Sequence, residues 1–273
     1  MRRSFSSFPP VVGMLALSTF AVLPSCGGNS NSSPGKGMSS SSPQDSGAPS
    51  SDKSLFVVGA QALDAADCVA KADTATALLA QGVLDLAFAS SYTASLLVGN
   101  QLLKAGSATE TERVSLSGAE VTLTTEDGTE LKSYSTVGTG FVDAATGSAA
   151  YGTMSVVVIP TGLGSSEALQ NGQLLVAKIQ VLGEALDGTK LTSSELDLPI
   201  KFCTGCLVQY PASAADPTQP PGSAYRCASS DAATQEASPP PCVVGQDVAF
   251  SCLICSASYA LCSDPAQNPS YSR

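Results

Sequence analysis

The fold is decided by residues 171–202, which read NGQLLVAKIQVLGEALDGTKLTSSELDLPIKF. Two turn dipeptides, Asn171-Gly172 and Asp187-Gly188, precede its two apolar runs, and Asn-Gly and Asp-Gly are strong signals of tight hairpin turns. After each dipeptide, apolar side chains recur at alternate positions, the period of a strand with one buried face. The pattern predicts strands over residues 174–186 and 191–202, the second returning alongside the first.

The same pattern extends over residues 55–202, where further apolar or alternating runs predict strands. They lie at residues 55–60, 82–89, 92–98, 114–123 and 151–160, with another hairpin signal at Asp127-Gly128. About seven to nine strands, with short turns and no alternation with helices, predict an all-β fold, an antiparallel β-sandwich. The pattern resembles that of immunoglobulin-like and fibronectin-like domains, although the chain has no Trp to match the buried one of antibody domains.

Two stretches of the body depart from simple alternation. Val114 and Leu116 keep one phase while Val121 and Leu123 keep the other, so a β-bulge is expected near Gly118. Residues 62–80 are rich in Ala, and their apolar positions leave a helix and an irregular segment both open.

The N-terminal segment ends in Leu23-Pro24-Ser25-Cys26. It begins with the cations Arg2 and Arg3 and continues with an apolar run over residues 11–23. That run is shorter than the roughly 20 residues that a membrane-spanning helix needs, and it is typical of a signal peptide. Residues 23–26 resemble the lipobox of bacterial lipoproteins, in which Leu23, Ser25 and Cys26 match the pattern and Pro24 departs from it.

This resemblance implies a membrane anchor. In the family, cleavage removes the signal peptide, here residues 1–25, and Cys26 receives a diacylglycerol on its sulfur and an acyl chain on its new amino terminus. Several acyl chains give stable anchoring, whereas a single chain is marginal. Gly27 follows Cys26, where the family uses Asp to retain lipoproteins in the inner membrane, so an outer-membrane location is expected. The alternative is an ordinary cleaved signal with Cys26 as a thiol.

Residues 26–54 join the anchor to the body. They are rich in Ser and Gly and nearly lack apolar side chains, so they cannot bury enough surface to offset the entropy of ordering. We expect a disordered tether with a root-mean-square span of about 30 Å.

The C-terminal extension, residues 203–273, contains most of the cysteines. If Cys26 is lipidated, eight of the nine cysteines remain as disulfide candidates, and an even number suits an oxidising compartment. Seven of them lie in the extension, so one must reach Cys68 in the body and fasten the extension to the sandwich. The candidates are Cys68, Cys203, Cys206, Cys227, Cys242, Cys252, Cys255 and Cys262, and their connectivity stays open among about a hundred pairings.

Two cysteine pairs have C-x-x-C spacing, Cys203/Cys206 and Cys252/Cys255. Such pairs can grip a tetrahedral zinc ion or form a redox-active dithiol. Export and the cysteines interleaved between the pairs favour structural disulfides, so no metal site is expected, and the zinc and redox readings remain as alternatives.

Composition narrows the classes of function. The chain has a net charge of −10 and no His, which argues against nucleic acid as a partner and excludes Ser-His-Asp triads and His-ligated metals. No cofactor motif stands in a suitable context, and no catalytic residue is assigned. We expect a non-enzymatic, membrane-anchored lipoprotein of the bacterial cell envelope with a structural or protein-interaction role. It would contact the membrane through Cys26 and another envelope protein through its body; a module that binds a glycan or a metal ion is the alternative.

Overall fold

A computed structural model describes residues 54–106, 110–164, 169–210, 227, 240–255, 258–263 and 267–271. The predicted signal peptide, Cys26 and the tether up to residue 53 lie outside these residues. The strands are β1 (Leu55–Gln61), β2 (Gly82–Asp85), β3 (Tyr92–Asn100), β4 (Val114–Thr125), β5 (Glu130–Val142), β6 (Ala150–Ile159), β7 (Leu174–Ala185), β8 (Lys190–Thr192), β9 (Leu196–Cys203), β10 (Val208–Gln209) and β11 (Phe250–Ser251).

Helices are short within the described part of the chain. They are α1 (Thr161–Gly164), α2 (Ala260–Ser263) and a 3-10 helix over Cys252–Ile254. No helix in the described ranges has both the length and the apolar character that crossing a membrane requires.

The strands form two main sheets, as the all-β sandwich prediction requires. The smaller sheet has the order β1-β3-β6, and the larger has the order β2-β9-β7-β4-β5, with β8 paired to β7. Most neighbours are antiparallel, but β2 runs parallel to β9, and so does β10 to β11. The antiparallel prediction is therefore wrong for β2 and β9, whereas β10 and β11 belong to the C-terminal extension, outside the predicted sandwich. Because no hairpin joins β2 to β9, which are far apart in the chain, local turn signals do not set their relative direction.

The core lies between the two sheets and is almost entirely aliphatic. The smaller sheet contributes buried side chains such as Leu96 and Met154, and the larger contributes Val121, Ile179 and Ile200, each 2% exposed or less. Burying a side chain of this size stabilises a fold by about 1.5–3 kcal/mol. The apolar residues that alternate along the sequence are thus the side chains that face the core, and the residues between them face solvent.

The predicted turns and the predicted bulge are confirmed. Gly128 and Gly188 have φ values of 84° and 90° and close the β4–β5 and β7–β8 hairpins, a conformation that glycine adopts without steric cost. The register of β4 shifts between Leu116 and Gly118 against both of its neighbours. The shift reverses which face of β4 is buried, so Leu116 and Val121 both reach the core.

Residues 62–80 form turns and bends, not the helix that Ala-rich composition left open. Asp64 accepts a hydrogen bond from the backbone N–H of Ala66, and Asp73 accepts from those of Ala75 and Thr76. Such side-chain bonds compete with helical ones because they use the same backbone donors. Cys68 also has a φ of 57°, outside the helical region.

The predicted strand over residues 191–202 is divided into β8 and β9. The hydroxyl Oγ of Ser193 accepts a hydrogen bond from the backbone N–H of Val181 at 2.8 Å, which replaces a backbone acceptor at the break. Beyond the break, Leu198, Ile200 and Phe202 share the buried face as predicted. Val157 of β6 belongs to an apolar run of the sequence, but its side chain points outward and is 38% exposed.

The two sheets approach each other closely where the end of β5 passes β6. A Cβ atom added to Gly152 would lie 2.2 Å from the backbone oxygen of Phe141, and one added to Gly140 would lie 2.6 Å from that of Thr153. Real Cβ atoms do not occur at such distances, so the absence of side chains lets the two backbones meet. Glycine therefore closes one side of the sandwich.

We predict that Gly152→Ala lowers the free energy of unfolding by about 1–3 kcal/mol, because the added methyl group forces the β5 and β6 backbones apart. Urea denaturation followed by circular dichroism, with disulfides intact, measures the change. Gly106→Ala is the matched control, since a Cβ there meets nothing within 4 Å, and its effect should stay within about 0.5 kcal/mol. Equal stability of the two variants would contradict the close contact.

Candidate functional site

The C-terminal extension builds a second, smaller core beside the sandwich. Phe250, Leu207 and Val208 are buried there together with Cys227, Cys252, Cys255 and Cys262. Phe88, which follows β2, packs edge-on against the rings of Phe250 and Tyr259 at centroid distances of 5.1 and 4.9 Å. This core consists largely of cysteines, as expected for a segment with few apolar runs.

The eight disulfide candidates form four bonds, which are Cys68–Cys242, Cys203–Cys206, Cys227–Cys252 and Cys255–Cys262. The first joins the body to the extension across 174 residues of sequence, the connection that the odd number of cysteines in the extension required. The other three lie within the extension and its junction with β9.

Residues 242–250, here called the latch, run from this long-range disulfide to β11 and bind one strand of each sheet. The backbone N–H of Asp247 donates to the carbonyl of Val83 at 3.0 Å, and the N–H of Asp85 donates to the carbonyl of Gly245 at 2.9 Å. The latch thereby covers β2, the edge strand of the larger sheet.

The side chain of Gln246 binds the smaller sheet. Its Oε1 accepts from the backbone N–H of Thr93 at 3.0 Å, and its Nε2 donates to the carbonyl of Thr93 at 2.7 Å. β1 pairs with β3 only from Ser95 onward, so the amide of Gln246 occupies the position where β1 has ended. Only 7% of Gln246 is exposed, and its amide satisfies backbone groups that would otherwise lack a partner.

Asp247 brings a carboxylate into the junction between the sheets. Oδ1 accepts from the backbone N–H of Val83 at 2.8 Å, and the hydroxyl of Tyr92 donates to Oδ2 at 3.0 Å. Tyr92 is fully buried, and its hydroxyl lies where a side chain on Gly82 would stand. The three elements β2, β3 and the latch therefore meet at one carboxylate.

Burial controls the ionisation of this pair. Burial raises the pKa of Asp247 above its usual value, and the hydrogen bonds from Val83, Tyr92 and Gln246 only partly oppose that effect. Burial and the neighbouring charge of Asp247 raise the pKa of Tyr92 far above its usual value. Tyr92 is therefore a neutral hydrogen-bond donor, and Asp247 is a carboxylate whose charge is poorly solvated.

A cavity of about 320 Å³ lies between this junction and the loop that follows β1. Its apolar wall includes Leu63, Leu79, Pro241 and Val248, and its polar groups include Gln61, Tyr92 and Asp247. None of the described lining residues is basic. The volume is at the lower end of the range of about 300–1,000 Å³ for sites that bind small molecules, and apolar walls with a few convergent polar groups are typical of such sites.

Gln61 is the second notable polar group of the cavity wall. It is 2% exposed, and its Nε2 donates to the carbonyls of Lys71 and Asp73 at 2.8 and 3.2 Å. Its Oε1 is buried and has no hydrogen-bond partner among the described residues. A buried acceptor in this state costs about 1–3 kcal/mol.

The predicted zinc alternative required Cys203, Cys206, Cys252 and Cys255 to meet, and the structure pairs them into different disulfides. The metal-ligating atoms that do cluster in the described part of the chain belong to Asp85, Cys203 and Cys206. Both sulfurs of this cluster are in a disulfide bond with each other. The cluster therefore offers one carboxylate and no thiolate.

Both carboxylate oxygens of Asp85 accept hydrogen bonds from backbone N–H groups. Its Oδ1 accepts from the N–H of Gly205 at 2.7 Å, and its Oδ2 accepts from that of Leu207 at 3.1 Å. These bonds fix the loop after β9, in which Cys203 ends the strand and a turn follows. The arrangement differs from the strand-to-helix context expected of a thioredoxin-like dithiol, and it is the arrangement of a structural brace.

Sequence reasoning located the cysteines but not the cavity. Gln61, Tyr92 and Asp247 are separated by up to 186 positions and belong to no motif. The one local signal was Gly245-Gln246-Asp247, in which Gly245 and Asp247 adopt positive φ values of 83° and 58°, as turn-forming residues do.

No protein-family model, curated protein or solved structure matches this chain. The interpretation of the cavity and of the latch therefore depends on their own chemistry.

We predict that Asp247 makes the fold more stable at mildly acidic than at neutral pH. Its folded pKa is raised above the ordinary value of 3.8, so the stability linked to its protonation is complete below that value and is lost as pH rises through the folded pKa. The free energy of unfolding of the wild type, minus that of Asp247→Asn, should increase as pH falls from 7 to 4; urea denaturation across this range measures it.

Asp187→Asn is the matched control, because a hydrogen bond from the backbone N–H of Thr189 lowers the pKa of Asp187. A lowered pKa gives stability that is lost as pH falls, so the same difference should decrease on acidification. A flat or decreasing difference for Asp247→Asn would contradict the burial of its carboxyl group.

We predict that replacing both Cys68 and Cys242 by Ser costs about twice as much stability as replacing both Cys255 and Cys262. The first disulfide spans 174 residues and the second spans 7, which corresponds to about 5 and about 2 kcal/mol of loop-closure entropy. Denaturant midpoints and slopes of the two double variants give the comparison. An equal or smaller loss for the Cys68/Cys242 variant would show that this bond does not hold the latch to the body.

Proposed function

We propose that the chain is a non-enzymatic lipoprotein of the bacterial cell envelope, held at the outer membrane through acyl chains on Cys26. Its disulfide-braced β-sandwich would stand off the membrane on the tether of residues 26–54 and contact another envelope protein. Supporting observations come from the cysteines, the lipobox and the architecture of the body.

The pairing of the cysteines carries the proposal. Eight of the nine cysteines are joined to one another in four disulfides, and such bonds persist in exported proteins rather than in the cytosol. The pairing leaves Cys26, which ends the sequence that resembles a lipobox. A free thiol is unusual in an oxidising compartment. Lipidation of the Cys26 sulfur would leave no free thiol at this position.

The architecture of the body suits an exported protein, because disulfide bonds persist outside the reducing cytosol. The latch joins both sheets, the disulfide between Cys68 and Cys242 fixes its start, and two further disulfides brace the small core beside it. A rigid body on a long tether is a common way to present a contact surface at a distance from a membrane. The low share of charged residues, 13%, leaves a surface of Ser, Thr and Ala that suits contact with a protein better than with nucleic acid.

The intact mass of the protein extracted from membranes, after thiol alkylation without reduction, tests the proposal. We expect a mass that corresponds to cleavage before Cys26 plus three acyl chains, with no alkylated cysteine. Cys26→Ser should lose the acyl mass and leave the membrane fraction. Cys255→Ser combined with Cys262→Ser is the matched control, because it also replaces cysteines by serines and should retain the lipid.

A wild-type mass without lipid would overturn the anchor. Alkylation of several cysteines would overturn the disulfide argument and with it the inferred compartment.

A further inference from the structure

We propose that the cavity between Gln61, Tyr92 and the latch is a binding site for a small organic cation, namely a primary amine carried on a compact apolar body. The inference is independent of the membrane anchor, since every group that carries it belongs to the sandwich or the latch.

Gln61 supplies a fixed part of the wall. Its Nε2 donates to two carbonyls, those of Lys71 and Asp73, and its Oε1 is buried without a partner among the described residues. Because Oε1 is not accessible to a molecule the size of water, Gln61 holds the loop after β1 in place and does not itself select the ligand.

Asp247 supplies the observation that selects the ligand, because it brings a negative charge to the cavity wall. Its carboxylate is oriented by the Tyr92 hydroxyl and the Val83 N–H, and an ionised carboxylate in poorly solvated surroundings is stabilised by a cation in contact with it. No basic residue among the described lining residues performs this role. An ammonium group suits this carboxylate, since it carries a positive charge and three N–H donors.

The rest of the wall selects the body of the ligand. Leu63, Leu79, Pro241 and Val248 give an apolar surface, which favours a hydrocarbon group of matching size. A volume of about 320 Å³ limits that group to a single ring or a short branched chain. The net charge of −10 attracts cations to the protein as a whole.

Other ligand classes fit the cavity less well. An anion would meet Asp247 with no base to offset the repulsion. A divalent metal ion takes several charged or carbonyl oxygens, and Asp247 is the one carboxylate in the described lining, with much of the remaining wall apolar. A sugar would leave most of its hydroxyl groups against hydrocarbon, where unpaired polar groups are costly.

Isothermal titration of the full mature chain in a mild non-ionic detergent tests the inference, with benzylamine as the probe. We expect saturable binding to one site, at least tenfold weaker binding of the neutral analogue benzyl alcohol, and no binding of benzoate. Absence of saturable benzylamine binding, or equal affinity for benzyl alcohol, would overturn the inference.

Variants then locate the site. Asp247→Asn should weaken benzylamine at least tenfold and abolish the preference over benzyl alcohol. Asp197→Asn removes the same charge from an exposed position on β9, where the carboxylate lies 3.7 Å from Lys178, and should leave binding unchanged. Equal losses in both variants would attribute binding to overall charge and overturn the site.

Ala249→Phe keeps the test decisive if Asp247→Asn does not fold. Ala249 lines the cavity and is exposed, so a phenyl ring there should obstruct the cavity without disturbing the core. Benzylamine affinity that survives this change would place the amine elsewhere and overturn the inference. The lipid mass of the same preparation is measured separately, so failure of the anchor and failure of the cavity are distinguishable.

Discussion

The pairing of Gln246 and Asp247 with both sheets is the interaction on which the rest of the structure depends. A sandwich of two open sheets has edges whose backbone groups need partners, and here the amide of Gln246 serves β3 while Asp247 serves β2. The opposite side of the sandwich is closed differently, by glycines that bring β5 and β6 into backbone contact. One side is thus closed by glycines, which have no side chain. On the other side, the side chains of Gln246 and Asp247 make hydrogen bonds that a neighbouring strand would otherwise make.

This solution creates the cavity as a by-product. The latch is joined to the loop after β1 at Cys242, and its later residues turn to β2 and β3, which leaves space between the latch and the loop. The polar groups that hold the latch, Tyr92 and Asp247, consequently form part of the cavity wall. Structural bracing and ligand chemistry therefore share the same residues, and a ligand at Asp247 would act on the stability of the latch itself.

The sequence was informative wherever structure is decided locally. Asp127-Gly128 and Asp187-Gly188 are hairpin turns, and the phase change between Leu116 and Val121 is a bulge, because each depends on a few adjacent residues. The parallel direction of β2 and the irregular course of residues 62–80 were not predictable in this way. The direction of β2 depends on pairing with a strand more than a hundred residues away. The course of residues 62–80 depends on Asp64 and Asp73, whose side chains accept hydrogen bonds from backbone N–H groups.

The candidate site illustrates the same limit. Counting cysteines predicted that Cys68 must join the extension, since parity does not depend on geometry, but it could not choose the partner Cys242. Gln61, Tyr92 and Asp247 look ordinary in the sequence. Only the fold shows that Oε1 of Gln61 is buried without a partner among the described residues and that Asp247 is a poorly solvated acid.

The separation in sequence between the latch and its partners has a consequence for folding. Its contacts with Tyr92 and Thr93 join residues 155 and 153 positions apart, and such non-local contacts slow folding. A chain that emerges amino terminus first exposes β2 and the free end of β3 before residues 242–250 are available. During that interval the nascent sandwich carries unpaired strand edges of the kind that seed aggregation. Protection of these edges would therefore matter most until residues 242–250 have joined the fold.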